Sequence, residues 1–139
     1  MDVKTNSIQL NTNPGVDVVD ITDKVRHALS ESGLNNGIVT VFVPGSTASV
    51  TTIEYESGLV VDIKRAFERI APRDIHYDHD YRWQDGNGHS HIRASLLGPS
   101  ITVPFARGAL MLGTWQQIVF VELDVKQRNR TVIIQIIGN

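Results

Sequence analysis

The hydrophobic and polar positions of the first half of the chain repeat with two different periods, which separate strands from helices. Strands are expected at residues 3–10, 16–21 and 37–43. Apolar residues at helical spacing predict a helix that begins at Thr22, a good N-cap, and ends at Gly33. A second helix is expected over residues 58–71, because its apolar side chains fall on one face before Pro72 ends it.

The last third of the chain alternates in the manner of an antiparallel sheet. Turn signals such as Gly98-Pro99 and Arg107-Gly108 separate its apolar runs. Strands are expected at residues 89–97, 101–105, 110–112, 117–125 and 131–137. Many strands and two main helices indicate one α+β domain over residues 1–139, with both helices packed on one face of a mostly antiparallel sheet or β-sandwich.

Three histidines lie within or just after residues 71–88, a long segment rich in loop-forming residues. In a strand over residues 89–97, alternation places His89, His91 and Arg93 on one face and the apolar residues on the other. His79, in the preceding loop, is expected to supply a third nitrogen. Three neutral imidazoles with an open position suit zinc or a similar divalent metal. The alternative is a surface strand without a ligand, and Arg93 beside a metal requires an anion between them.

A run of hydroxyl residues that ends in an acid follows the third predicted strand. Ser46, Thr47 and Thr51 offer hydroxyl donors, and Gly45 allows the backbone to approach a ligand closely. Such a concavity binds phosphate, although an ordinary strand–turn–strand has the same pattern. Glu54 is the nearest acid, and the pattern fits a general base, a carboxylate near a metal or an exposed charge.

The segment Gly113-Thr-Trp-Gln116 opens a later strand. A tryptophan beside a glycine turn is typical of a packing anchor. Gln116 is placed to hydrogen-bond a heterocycle or to orient a histidine. At the end of the same strand, Glu122 and Asp124 are structural or pair with Arg128 or Arg130, and the pattern leaves both interpretations open.

Composition narrows the class of protein further. The chain is 41% hydrophobic and 20% charged, which is typical of a globular fold of 139 residues. The absence of cysteine excludes disulfides and thiolate metal sites, and it fits a reducing compartment. A net charge of −2 without a basic stripe argues against nucleic acid as a partner. No apolar run approaches the roughly 18 residues of a membrane span, so a cytoplasmic protein without a membrane partner is expected.

A resemblance to a known family is carried by several stretches of the chain. They are Gly88-His-Ser-His-Ile-Arg-Ala-Ser-Leu-Leu-Gly-Pro-Ser100, Pro104, Leu112-Gly-Thr-Trp-Gln-Gln-Ile118, Val43-Pro-Gly-Ser-Thr-Ala48 and Tyr77-Asp-His79. The sequence resembles the YjbQ family, whose members are described as secondary thiamine-phosphate synthases. The resemblance implies an α+β sandwich that assembles as a homotrimer, with its sites near the subunit boundaries.

The resemblance also implies an activity and a set of site residues. The reaction joins a hydroxymethylpyrimidine diphosphate to a thiazole phosphate and releases pyrophosphate, which requires the binding of anions. The family's metal ligands match His79, His89 and His91, the expected metal is zinc or magnesium, and the family acid matches Glu54. His79 and Glu54 are then the expected catalytic residues. The expected substrate-binding residues are Ser46, Thr47, Thr51, Arg93 and Gln116.

One departure from the family pattern bears on activity. Many members have a histidine directly after the residue that matches Pro44, and this chain has Gly45 there. A metal-binding or small-molecule-binding trimer without turnover is therefore the alternative to a transferase. A third interpretation is a hydrolase or isomerase that uses a histidine as acid and base without metal.

Overall fold

Twelve helices and strands make up the computed structural model, which describes residues 1–139. In chain order they are β1 (Asp2–Thr12), β2 (Asp17–Asp20), α1 (Thr22–Ser32), β3 (Asn36–Phe42), β4 (Ala48–Ile53), α2 (Ser57–Ile70), α3 (Asp78–Trp83), α4 (Gly88–Leu97), β5 (Ser100–Ala106), β6 (Ala109–Leu110), β7 (Gln117–Glu122) and β8 (Arg128–Gly138). The predicted α+β class is confirmed, but the helices number four rather than two. None of them has the length and the apolarity that crossing a membrane requires.

The strands form two sheets in which all paired neighbours are antiparallel. The larger sheet has the order β1-β8-β3-β5-β6, and the smaller has the order β2-β7-β4. In the larger sheet the first and last strands pair along their full length, from Asp2 opposite Gly138 to Thr12 opposite Arg128. In the smaller sheet Ala48 lies opposite Glu122, which brings the start of β4 to the end of β7.

Both faces of the smaller sheet are buried, and successive residues of β7 divide between two cores. Ile118 and Phe120 join the larger core, which contains residues of both sheets and of α1. Val119 and Val121 join a smaller core with residues of α2 and α4. The two predicted helices therefore pack in different cores rather than on one face, because the middle sheet presents apolar side chains on both sides.

The predicted helix boundaries hold to within one residue. Gly33 ends α1 with a left-handed φ of 71°, as the stop signal indicated. Thr22 is the first residue of α1 rather than its N-cap, and its hydroxyl donates to Asp20 (2.6 Å) and accepts from the Ile118 N–H (2.9 Å). The N-cap of α2 is Glu56, whose carboxylate accepts from the first backbone N–H groups of the helix.

The strand predicted over residues 89–97 is wrong, because this segment forms α4. Its buried residues recur at helical spacing, with His89 and Arg93 one turn apart. Ile92 and Leu96, which alternation assigned to the core, are 45% and 65% exposed. A short segment of mixed polarity fits a period of two and a period of 3.6 equally well, so periodicity alone did not decide between them.

Candidate functional site

An open polar cleft of about 390 Å³ lies where three distant segments of the chain meet. The turn between β3 and β4 contributes residues 45–47, the α3–α4 region contributes residues between 79 and 91, and β8 contributes Arg128 and Arg130. Trp83, 63% exposed, is the single hydrophobic residue of its lining. The cleft therefore offers hydrogen-bonding and charged groups rather than an apolar surface.

His79 and His91 meet at one wall of the cleft. Their ring centroids lie 4.3 Å apart, with the planes inclined by 42°. His79 comes from α3, a helix within the segment predicted as loop, and His91 comes from α4. Burial lowers the pKa of His91, and the charge of His79 lowers it further. The predicted association of these two histidines is thus present in the structure.

Two carboxylates complete a compact group with His79. The Nδ1 atom of His79 lies 3.5 Å from a carboxylate oxygen of Asp80 and 3.5 Å from one of Asp85. This nitrogen is buried without a hydrogen-bond partner, and one ligand atom from each of the three residues lies within 4.8 Å of the others. Asp80 is held in place by the Gly88 N–H, which donates to it at 2.7 Å. A mixed imidazole and carboxylate group of this kind suits a divalent cation.

His89 and Arg93 do not reach the cleft. Residues i and i+2 share a strand face but lie about 200° apart around a helix, so α4 separates His89 from His91. His89 is 3% exposed and packs near the Tyr77 ring, at a centroid distance of 6.3 Å. Burial lowers the pKa of His89, as does the charge of Arg93. The three histidines predicted to act together are therefore divided in the structure: His79 and His91 form a pair in the cleft, and His89 is buried elsewhere.

Arg93 instead ties α4 to the end of α2. Its guanidinium donates to the Ala71 carbonyl (3.0 and 2.9 Å) and to the Glu68 carboxylate (2.7 Å). The side chain is only 4% exposed, and it is not part of the cleft lining. Its position is that of a packing residue between helices, not that of the predicted substrate ligand.

The predicted hydroxyl residues divide between the cleft and other parts of the fold. Ser46 is exposed at the cleft, and Thr47 is buried in its lining, where it donates to Asp124 at 3.1 Å. Thr51 instead lines an apolar groove beneath α2. Glu54 lies beyond the far end of β4, exposed and about 20 Å from Thr47 at the usual rise of a strand.

The segment that contains Gln116 also lies at the far end of the smaller sheet. The Gln116 amide donates to the Thr52 hydroxyl (3.0 Å) and accepts from the Gly113 N–H (3.1 Å). Trp115 is 71% exposed, so it does not pack into the core of its own chain as predicted. Within one chain, neither Gln116 nor Glu54 shares a cavity with the histidines.

A buried ionic network forms the floor of the cleft. Glu122 and Asp124 are 0% exposed. The Nε of Arg130 donates to Glu122 at 2.7 Å, and the Nε of Arg128 donates to Asp124 at 2.9 Å. Each arginine adds a second bond to the same carboxylate through Nη2. The sequence offered these pairings as one of two interpretations and gave no sign that both arginines line the histidine cleft.

Asp124 should make stability depend on pH in the acid range. Burial by itself raises its pKa, but hydrogen bonds from Arg128, the Val125 N–H, Asn87 and Thr47 outweigh burial and lower the pKa to about 2 from an ordinary value of 3.8. A carboxyl with a lower pKa in the folded state stabilises the fold above its unfolded pKa. We therefore expect the free energy of unfolding to fall as the pH decreases from about 4 to about 2.

This dependence is checked by urea denaturation at a series of pH values. The Asp124→Asn variant should show a smaller change in free energy over that range than the wild type. Asp2→Asn, at an exposed position of β1, is the matched control and should keep the wild-type slope. Equal slopes in all three proteins would contradict the role of Asp124.

Gly88 sets the distance between α3 and α4. A Cβ at this position would lie 2.6 Å from the Cβ of Tyr77, which directly precedes α3. We expect Gly88→Ala to push the two helices apart and to cost about 1–3 kcal/mol, more than the gain of about 1 kcal/mol in helix propensity. Because the Gly88 N–H holds the Asp80 carboxylate in place, affinity for a divalent cation, measured by titration, should also fall.

The control for this variant is Gly113→Ala. A Cβ at position 113 would meet its nearest neighbour, Gln116, at an ordinary 3.6 Å. The stability and metal affinity of this control should stay near those of the wild type. A Gly88→Ala protein with unchanged denaturation and metal binding would show that this contact does not position the helices.

Comparison with known proteins extends over nearly the whole chain. The family model described as UPF0047 protein YjbQ-like matches residues 6–139. A UPF0047 protein of Methanothermobacter thermautotrophicus is 43% identical over 138 residues, which cover 99% of this chain and 94% of that protein. The UPF0047 protein YjbQ of Escherichia coli O157:H7 is 32% identical over 120 residues, which cover 85% of this chain and 86% of that protein.

A solved structure has the same fold. The crystal structure of a YbjQ-like protein of unknown function from Sulfolobus solfataricus P2 superposes with a TM-score of 0.94 at 35% sequence identity. The match covers 99% of both chains. The arrangement of two antiparallel sheets and four helices is therefore shared with that protein.

Proposed function

This chain belongs to the YjbQ-like UPF0047 family, and on that basis we propose that it is a metal-assisted enzyme acting on a phosphorylated small molecule. One observation carries the proposal: His79 and Asp85, which form a compact group with Asp80, line the same cleft as the hydroxyl residues Ser46 and Thr47. The first group suits a divalent cation, and the second suits a phosphate oxygen. The family resemblance supplies the reaction, a transfer that joins hydroxymethylpyrimidine diphosphate to thiazole phosphate.

The metal in this proposal is zinc or magnesium. The unpartnered buried Nδ1 of His79 and the carboxylates of Asp80 and Asp85 would hold it. An imidazole favours zinc, whereas two carboxylates also accommodate magnesium. When bound, the metal would neutralise the negative charge that develops on the departing pyrophosphate.

The remaining lining residues bind and orient the substrate. The Ser46 hydroxyl donates to a phosphate oxygen, and the His91 ring lies against His79, where it limits the space beside the metal group. Trp83 offers a flat apolar surface to a planar heterocycle. These contacts hold two reactants near each other, which lowers the entropic part of the barrier.

The proposal includes a sandwich-like packing of the sheets and assembly as a homotrimer with sites near the subunit boundaries. Glu54 and Gln116 lie at the opposite end of the smaller sheet from the cleft. If they act on the same substrate as His91, they must come from a neighbouring subunit.

Mixing two inactive variants tests this sharing of a site. Refolding Glu54→Gln together with His91→Ala should restore part of the activity, because mixed trimers contain sites in which both residues are intact. Each variant refolded alone should stay inactive. Mixed protein that is no more active than the two separate variants would contradict a shared site, and a monomer by light scattering would contradict the trimer.

The test of the function itself is direct. Purified protein is incubated with both thiamine precursors and either zinc or magnesium, and thiamine phosphate is measured. We expect metal-dependent product that is lost on chelation and in Asp85→Asn. The absence of product, under conditions where an authentic synthase works, would reject the transferase.

Gly45 favours a second candidate, a metal-binding or small-molecule-binding trimer without turnover. The turn at this position lines the cleft. Glycine stands there in place of the histidine that the family resemblance implies. This candidate predicts stoichiometric metal and phosphate binding without consumption of either thiamine precursor. A Gly45→His variant that gains turnover would favour it over the transferase for the natural chain.

A further inference from the structure

We propose that Arg128 and Arg130 form a preorganised seat for a phosphate or diphosphate group at the floor of the cleft. The inference rests on the proposed function, because it names the residues that hold the anionic part of the substrate. Both residues belong to β8 and both line the cleft. Since alternate residues of a strand point to the same side, their guanidinium groups stand side by side, with the Cα atoms about 7 Å apart.

The hydrogen bonds of each arginine leave one nitrogen free for a ligand. Arg128 and Arg130 use Nε and Nη2 for their buried carboxylates, and Nη2 of Arg130 also donates to the Thr47 hydroxyl at 2.9 Å. The Nη1 atom of each arginine therefore has two N–H groups that donate to no protein acceptor. These donors remain for an anion in the cleft.

The buried carboxylates also fix the orientation of the seat. Glu122 and Asp124 are fully buried, and each holds its arginine through two bonds in a planar fork. An arginine held in this way has already lost most of its side-chain entropy, so a ligand does not have to order it. Because the carboxylates balance the guanidinium charges, binding depends on directed N–H donors and not on a net positive charge.

Gly45 keeps the Arg130 donor accessible. A Cβ on Gly45 would lie 3.1 Å from Nη1 of Arg130, a close contact with the atom that the seat presents. Gly45 does not have the positive φ that requires glycine, so its backbone conformation does not explain the residue. A side chain at position 45 would instead meet Arg130.

An anion bound at the seat would also separate the positive charges of the cleft from one another. A cation held by His79 and Asp85 would repel nearby guanidinium groups, whereas an anion between them attracts both. Arg93, which the sequence assigned to this role, is directed to Ala71 and Glu68 instead. Arg128 and Arg130 are the arginines that the fold places in the cleft.

Calorimetric titration with inorganic phosphate and with pyrophosphate, in the presence of EDTA, tests the seat without metal or turnover. The wild type should bind pyrophosphate saturably. Arg128→Gln removes the two free N–H donors on Nη1 of Arg128. Gly45→Val covers the two on Nη1 of Arg130, and it leaves the Arg130–Glu122 ion pair intact. Each variant should bind at least about 10-fold more weakly, since a charge-assisted hydrogen bond contributes this much or more.

Arg65→Gln is the matched control, because Arg65 is an exposed arginine of α2 outside the cleft. It should bind pyrophosphate as the wild type does, and circular dichroism should show that all variants are folded. If the wild type bound neither anion saturably, the seat would be overturned. It would also be overturned if both Arg128→Gln and Gly45→Val bound pyrophosphate with wild-type affinity. Intact anion binding without thiamine phosphate formation would reject the proposed reaction and leave the seat standing.

Discussion

An Arg130→Met variant should lose about 3–5 kcal/mol of its free energy of unfolding. The substitution leaves the carboxylate of Glu122, which is 0% exposed, without its bidentate cation. Breaking a buried ion pair from one side costs this much, because the remaining charge stays desolvated. A domain of this size has a total stability of about 5–15 kcal/mol, so the loss is a large fraction of it. Guanidinium denaturation followed by circular dichroism measures the change.

Two further variants separate the buried pair from a general effect of losing an arginine. Arg26→Met removes an exposed partner of Asp23, whose side chain is 95% exposed, and should cost less than about 1 kcal/mol. The double variant Arg130→Met with Glu122→Gln should recover part of the stability, because the unpaired charge is gone. If Arg130→Met lost no more stability than Arg26→Met, the buried pair would not be a main support of the cleft floor.

Substitution of His79 by Ala, or of Asp85 by Asn, should lower the affinity for zinc at least about 100-fold. Both residues supply ligand atoms to the compact group in the cleft, with His79 Nδ1 3.5 Å from Asp85. Changes in residues that only orient metal ligands already cost 10–100-fold in affinity, so loss of a ligand should cost at least the upper figure. Elemental analysis after dialysis, with competition titration against a chelator, gives the stoichiometry and the affinity.

The same measurement distinguishes the two ligand sets proposed for this protein. The sequence and the family resemblance assign His79, His89 and His91, whereas the geometry favours His79 with Asp80 and Asp85. His89→Ala should therefore keep its zinc, as should the control His76→Ala at an exposed histidine that pairs with Asp78. Full zinc content in Asp85→Asn, together with its loss in folded His89→Ala, would show that the histidine set is correct.

Predictions of secondary structure succeeded where local signals agreed. In α1 and α2 the apolar spacing and the stop residues Gly33 and Pro72 indicate the same boundaries, and the structure has them within one residue. In β3 a dense β-branched run has no competing helical pattern. The segment that became α4 had no such agreement, since its histidines, serines and leucines fit either period.

That one error changed the composition of the site. In a strand, His89 and Arg93 would accompany His91, but in α4 they point towards Tyr77, Ala71 and Glu68. The carboxylates beside His79 were also missed, because Asp80 and Asp85 look like ordinary loop residues until α3 and its connection to α4 form. Acidic residues in loops are common, so their pattern alone does not indicate a ligand group.

The sequence by itself determined the α+β class, the extent of most strands and two helices, and the kinds of side chain available for chemistry. Each of these depends on local periodicity, turn residues and residue type. Only the tertiary structure decided which of the polar residues meet. Pairing of β4 with β7 brings Thr47 beside Asp124, and packing of α3 on α4 brings His79 onto His91. Such contacts depend on strand register and helix packing between distant segments, which no local pattern specifies.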